Sequence, residues 1–290
     1  MNKIISLVLK EMRVHQWTKN LLVYSALLFG GQIFNYKKFW QVFCIFVSFC
    51  LVSSGIYFLN DIFDIENDKA DPIKHNRPIA SGELSVSKGL FCSSLLTIIG
   101  IVISSTISLL CLIMVSTYLF INIFYTVKLK RVVIIDVMIV AYGFVVRAVT
   151  GAFAADIRMT TWFLLCVMFI SLFLALGKRR YELIEFQHGK INKARDVLKY
   201  YTIDLIDQMM TIVTSAMIIC YALFTMDNST ENNLAMTITI PLVLYGVFYY
   251  LYVVRVKNGG GAPDEALYKE KPILFTVALY VIFVMFIRNF

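Results

Sequence analysis

Charge is what this sequence has least of. Of its 290 residues only 16% are Asp, Glu, Lys or Arg, while 59% are hydrophobic. That balance lies outside the range of soluble globular chains. Residues 39–60, 159–177, 208–226, 232–254 and 272–287 carry no charged side chain, and neither does the 39-residue stretch 89–127. Metal-binding sulfur and imidazole are scarce too. There are three His, and the six cysteines (Cys44, Cys50, Cys92, Cys111, Cys166, Cys220) fall inside apolar runs with no CxxC and no Cys/His cluster. They read as small packed apolar residues rather than a zinc site or a disulfide framework. Alternation of polar and apolar residues is also missing, which excludes a transmembrane β-barrel. No cleavable signal peptide is expected. The opening stretch IISLVLKEMRVHQW is interrupted by Lys10, Glu11 and Arg13, so its apolar core is too short. Residues 1–18 are expected to lie along a membrane interface as an amphipathic segment.

What is present is apolar length. A span needs about 20 residues to cross roughly 30 Å of hydrocarbon, and in lipid its backbone must pair with itself, which makes it a helix. The tract 89–127 suffices for two spans with a tight turn near Ser104–Ser105. Adding 20–36 and 132–155 gives about nine spans, of which 20–36 and 272–287 are the shortest. The expectation is an all-α, polytopic membrane protein forming one domain over 1–290, with charged segments at 61–87 and 178–207.

Basic residues orient it. Of 27 Lys and Arg, 22 fall in one alternating set of loops, from Lys3 through Lys271, and four (Lys37, Lys38, Arg158, Arg288) in the opposite set. Positive charge stays on the cytoplasmic side, so the N-terminus is expected inside and the C-terminus outside. The net charge of +8 follows from this bias, and it implies no nucleic-acid partner.

The second span ends in YFLNDIFDIENDKADP. Asp61, Asp64, Asp68 and Asp71 recur at i, i+3, i+7 and i+10, one stripe on a helix of 3.6 residues per turn. Asn60 lies within a turn of Asp64, and Pro72 stops the helix. A solvated helix end accounts for Glu66 and Asp71. Stacked carboxylates repel, however, and the set Asn60, Asp61, Asp64 and Asp68 calls for a cation. Oxygen ligands with spare positions suit Mg²⁺ held together with a phosphate-bearing substrate. Lys74, His75 and Arg77 follow directly, and cations beside a metal are what a diphosphate leaving group requires.

These residues carry a resemblance. NDIFDIENDKADPIKHNRPIASGELS is similar to the NDxxDxxxD…RPxxxG signature of the UbiA superfamily of intramembrane prenyltransferases. RVHQWTKNLLVYSALLFGG, YTVKLKRVVIIDVMIVAYGFVVRAVTGAFA, LGKRRYEL and GGGAPDEALYKEKPIL resemble its decaprenyl-phosphate phosphoribosyltransferase branch, from about Arg13 to Pro272. The resemblance implies nine helices around a central cavity that opens to the cytoplasmic face and to lipid. It also implies Mg²⁺-dependent transfer of phosphoribose from phosphoribosyl diphosphate to a polyprenyl phosphate. On it, Asn60, Asp61, Asp64 and Asp68 fall on the metal-diphosphate motif and Arg77 on its downstream arginine. Tyr125, with Lys128 or Lys130, falls on a tyrosine-lysine motif. Aromatic prenyltransferases of the superfamily carry a second aspartate motif at the end of the sixth span. Here that place reads GKRRYEL, with Lys178, Arg179, Arg180 and the single acid Glu182. Basic residues there suit a donor with a further phosphate and a lipid with a phosphate head.

Other residues read two ways. Asp136 and Arg147 share the fifth span eleven residues apart, about 16 Å along a helix, so they do not pair. Asp136 is one turn from the cytoplasmic end and can face the site. Arg147 lies near mid-membrane, where ionisable groups are costly. It holds either a phosphate or carboxylate, or backbone carbonyls. Lys19, beside Gln16 and Trp17, is an interfacial anchor or a phosphate ligand. Gly259–Gly261 with Asp264 and Glu265 form a linker or let backbone amides approach a phosphate. His188 reads as solvated, and of Asp204 and Asp207 the second is the better candidate to point inward. The sequence is compatible with a homo-oligomer. The rival readings are a prenyltransferase using the same aspartates on an allylic diphosphate, and a membrane transporter. The transporter is disfavoured because the acids cluster at a helix end rather than at the midplane.

Overall fold

The computed structural model describes residues 2–71, 74–188, 196–227, 233–259 and 269–289. Every regular element among them is helical. After a short helix Asn2–Glu11 (α1), a 3₁₀ helix Val14–Tyr24 runs into Ser25–Phe29 (α2). Tyr36–Phe63 (α3) is followed by the short Ile65–Lys69 (α4), then Val86–Ile107 (α5), Leu109–Val127 (α6), Ile135–Ala155 (α7) and Thr161–Gln187 (α8). Ile203–Met226 (α9), the short Asn233–Met236 (α10), Ile240–Arg255 (α11) and Lys271–Asn289 (α12) complete it. Eight helical segments of the described residues are long and apolar enough to cross a membrane, so this is a multi-pass membrane protein.

The ninth expected span, 20–36, is a rod displaced toward the N-terminus. Residues 14–29 form it, 3₁₀ first and α-helical after, and it turns at Gly30-Gly31, where Gly31 takes φ 62°. It packs against α3 and α7. A Cβ on Gly151 of α7 would stand 1.9 Å from the Val23 carbonyl oxygen, and Trp17 Nε1 donates to Ser54 Oγ at 3.1 Å. Helix α1 is correspondingly shorter than the expected segment 1–18. It ends before Arg13, whose left-handed backbone (φ 52°, ψ 51°) turns α1 away from the rod.

The break in the long apolar tract comes at Ser108, not at Ser104–Ser105. Ser104 and Ser105 stay helical, their hydroxyls satisfied by donating back to the carbonyls of Ile101 and Val102, each at 2.8 Å. Ser108 is extended and its Oγ accepts from the Cys111 amide at 3.1 Å, a capping bond that starts α6. Helices α3 and α5 pack at backbone distance. Ser48 Oγ donates to the Gly100 carbonyl at 2.7 Å and Ser93 Oγ to the Gly55 carbonyl at 2.8 Å. Small residues let helices approach this closely where no hydrophobic force drives them together.

The two expected charged segments are partly helical. The segment 178–207 begins inside α8, which runs on to Gln187 because Leu183 and Ile184 still have a buried face to fill, and it ends inside α9. Within it Lys190, Lys193 and Arg195 lie outside the described residues. Segment 61–87 begins inside α3 and includes α4. Pro72, Gly260, Gly261, Asp264 and Glu265 also lie outside the described residues. Gly259, which is described, folds its amide back to the Val253 carbonyl at 2.9 Å.

Candidate active site

The acidic stripe does not lie on one continuous helix. Helix α3 ends at Phe63, Asp64 leaves helical geometry (φ −102°, ψ 11°), and α4 restarts at Ile65. The break splits the carboxylates. Asp61, 2% exposed, and Asp68 are brought together by Arg77, whose Nη1 donates to Asp61 Oδ1 at 3.0 Å and to Asp68 Oδ2 at 2.5 Å. Asp64 turns the other way, and both its oxygens accept from Lys130 Nζ, at 2.7 and 2.8 Å. Asp71 pairs with Lys74 at 3.2 Å, outside this group. Asn60 stays at the end of α3, where its Oδ1 accepts from Thr126 Oγ1 on α6. Of the two candidate lysines after α6, Lys130 reaches the aspartates, while Lys128 is exposed at the helix end.

Two further residues belong to this group. Arg13 Nη2 donates to Asp61 Oδ1, and the guanidinium also lies 4.9 Å from the centre of the Tyr57 ring. A non-glycine residue at positive φ costs roughly 1 kcal/mol or more, so the turn that aims Arg13 is held by what it reaches. Glu11, the last residue of α1, lies against Asp61. Burial, with Asp61 adding to it, pushes the Glu11 carboxyl up to about 8. Asp68 is also raised by burial, opposed by Arg77. Arg13 was legible only as part of the quoted RVHQW segment. Glu11 looked like an interruption of an amphipathic face.

A second group forms where α7, α8 and α9 begin or end. Asp136, fully buried in the first turn of α7, accepts from Arg179 Nε at 2.7 Å through Oδ2 and from the Tyr201 hydroxyl at 2.8 Å through Oδ1. Arg179 Nη1 donates on to Glu182 at 2.6 Å. The Tyr201 oxygen in turn accepts from the Ile134 amide at 2.8 Å, pinning Ile134 at φ 68°, an outlier for a β-branched residue. Tyr125 on α6 stands close enough to Arg179 to act on its charge. Arg180 faces the other side of α8, donating to Asp207 at 2.9 Å and to the Val254 carbonyl at 2.7 Å. Asp207, as expected of the pair with Asp204, is the one that meets a partner inside the bundle. Beside Asp136 an apolar groove of about 210 Å³ is lined by Ile134, Val137, Leu172, Leu176, Met209 and Val213 among others.

Arg147 joins neither group. Its Nε donates to Asn20 Oδ1 at 2.7 Å, Nη1 to the Gly143 carbonyl at 2.6 Å and Nη2 to the Tyr118 hydroxyl at 2.8 Å. The guanidinium packs on the rings of Tyr118, Phe49 and Phe144. Lys19 Nζ donates to Gln16 one turn away. His188 caps α8 and is exposed.

Among the described residues no three His, Cys, Asp or Glu side chains converge as a ready-made cage for a cation. The donor set nevertheless fits a hard divalent ion. It is all oxygen, and Asp61 Oδ2 is buried with no hydrogen-bond partner. Mg²⁺ characteristically takes one or two carboxylates and completes its shell with water and substrate phosphates.

With this geometry established, comparison with known proteins is informative. The model of the UbiA prenyltransferase family matches residues 21–267. The decaprenyl-phosphate phosphoribosyltransferase of Mycolicibacterium smegmatis is 34% identical over 282 residues, covering 92% of this chain and 88% of that protein. Its counterpart in Corynebacterium glutamicum is 34% identical over 284 residues, covering 95% and 84%. A UbiA homologue from Archaeoglobus fulgidus, solved bound to GPP and Mg²⁺, shares the fold with a TM-score of 0.75 at 14% identity, covering 98% of this chain and 100% of that one. The chain belongs to the UbiA prenyltransferase family.

Proposed function

We propose that the chain transfers 5-phosphoribose from phosphoribosyl diphosphate to a polyprenyl phosphate, releasing diphosphate, with Mg²⁺ as cofactor. The observation that carries this reading is the second polar group. The GKRRYEL stretch of α8 carries Lys178, Arg179, Arg180 and a single acid, Glu182, where a second metal-binding carboxylate motif would serve prenyl transfer to an aromatic acceptor. The likeness to phosphoribosyltransferases over nine-tenths of the chain supports it.

In this reading Asp61, Asp64 and Asp68, with Asn60, would hold Mg²⁺, whose chemistry there would be electrostatic stabilisation of the diphosphate leaving group. Arg77, Lys130 and Lys74 lie beside them. Their present partners are the carboxylates themselves, and a diphosphate is a stronger match for the same cations. Lys178, Arg179, Tyr125 and Glu182 border the place of the ribose 5-phosphate or the lipid head, with Asp136 fixing Arg179. Lys19, Lys128 and Arg147 were further candidates as substrate contacts. The geometry gives Lys19 and Arg147 other partners and leaves Lys128 outside the group. The apolar groove beside Asp136 offers its surface to the polyprenyl chain. The acceptor phosphate is already ionised, so positioning and electrostatics suffice and no strong general base is needed. The whole chain acts as one domain, with the site on the cytoplasmic face.

The test is a comparison of donors on the purified protein with Mg²⁺. Phosphoribosyl diphosphate and a polyprenyl phosphate are expected to release diphosphate. If geranyl diphosphate is consumed with an aromatic acceptor and phosphoribosyl diphosphate is not, the prenyltransferase reading replaces this one.

A further inference from the structure

Glu11 closes α1 and is 2% exposed. Apart from each other, neither the Glu11 carboxyl oxygens nor Asp61 Oδ2 has a hydrogen-bond partner. The two carboxyls lie within hydrogen-bonding reach of each other, with Arg13 and Arg77 near by. Both guanidiniums donate to Asp61 Oδ1, and Arg77 donates to Asp68 as well. The neighbour of Glu11 in sequence, Met12, packs with Phe58, Ile79 and Leu84, and with Val8 and Trp17. An alkyl side chain at position 11 would suit that packing and remove a costly buried acid. Two buried carboxyls in contact are both ionised only when something positive comes between them, and otherwise one keeps its proton.

We infer that Glu11 is an additional carboxylate of the cation site, so that α1 forms one wall of that site. The inference rests on the reading of Asp61 as a metal ligand. Asp64 has both oxygens on Lys130 and Asp68 is tied to Arg77, which leaves Asp61 Oδ2 and Glu11 as buried oxygens with lone pairs to give. They come from separate elements, α3 and α1. Two carboxylates plus substrate phosphates are the usual complement for Mg²⁺. A cation held between them also ties α1 to the bundle.

The test uses the full chain in detergent with Mn²⁺ as probe, read by the electron paramagnetic resonance of free ion, without substrate or turnover. Glu11→Gln keeps the shape and removes the charge. It is expected to weaken Mn²⁺ binding at least ten-fold while melting in EDTA at or above the wild-type temperature. If Glu11→Gln binds Mn²⁺ within two-fold of wild type while Asp61→Asn loses it, Glu11 is not a ligand and the inference is overturned. If the wild type itself binds no Mn²⁺, the metal reading of the aspartates fails first. Hydrogen exchange on the wild type gives a reading that needs no variant. Adding Mg²⁺ is expected to slow exchange of the α1 amides, and unchanged exchange there overturns the inference.

Discussion

Lys130 and Asp64 face each other across 66 residues of sequence, the ammonium 2.7 and 2.8 Å from the two carboxylate oxygens. The pair joins the segment after α6 to the break between α3 and α4, and it separates Lys130 from its neighbour Lys128. Lys130→Ala is therefore expected to raise the donor concentration for half-maximal rate by about ten-fold or more, the equivalent of losing one charge-assisted contact at roughly 1.5–3 kcal/mol. Lys128→Ala should stay within about two-fold of wild type, well under the ten-fold that 1.4 kcal/mol represents. Equal effects of the two in steady-state kinetics would remove the assignment.

The aspartates are expected to be needed for turnover rather than for folding. Asp64→Ala should abolish most activity while the protein still elutes as a monodisperse species, and EDTA should do the same to the wild type, reversibly with Mg²⁺. Full activity in EDTA would dispose of the metal.

Arg179 and Lys178 should separate folding from binding. Arg179 is 3% exposed and answers a fully buried Asp136. Removing one partner of a buried pair costs roughly 3–5 kcal/mol, so Arg179→Ala should lower the melting temperature sharply. Lys178→Ala, at a half-buried position, should leave melting nearly unchanged and raise the donor requirement. A normal melting curve for Arg179→Ala would show that Asp136 is not held as described.

Arg147 is expected to act on stability. All three of its nitrogen types donate within the bundle, to Asn20, Gly143 and Tyr118. Arg147→Met should destabilise by roughly 2–4 kcal/mol, through the unpaired Asn20 and Tyr118 and the lost packing. The folded fraction should keep its donor affinity, measured by isothermal titration of detergent-purified protein. Lost affinity with unchanged melting would place Arg147 in the site.

Orientation can be read by labelling. In a background without the six native cysteines, a cysteine at Asp156, at the far end of α7, should react with a membrane-impermeant thiol reagent from outside the cell. One at His188 should react only after permeabilisation. The opposite pattern would reverse the sidedness inferred from the lysines and arginines.

The sequence by itself determined the helical, membrane-spanning character, because 39 uncharged residues in a row leave the backbone no other way to satisfy itself in lipid. It also determined which end of the bundle carries charge and which four side chains open the acidic motif, since these are local facts of spacing. Only the tertiary structure decided how the stripe is used. A periodicity argument assumes an unbroken helix, and the break at Asp64 sends that residue to Lys130 while Arg77 gathers Asp61 and Asp68. The same holds for Arg179, whose charge read as available for a phosphate until Asp136, 43 positions away, was seen to hold it. It holds for Glu11, which is unremarkable on an interfacial helix and becomes chemically significant only because α1 folds down onto Asp61. Partners brought together by packing across many tens of residues leave no mark in spacing. Burial sets whether a charge is solvated, paired or costly, and burial is a property of the assembled helices.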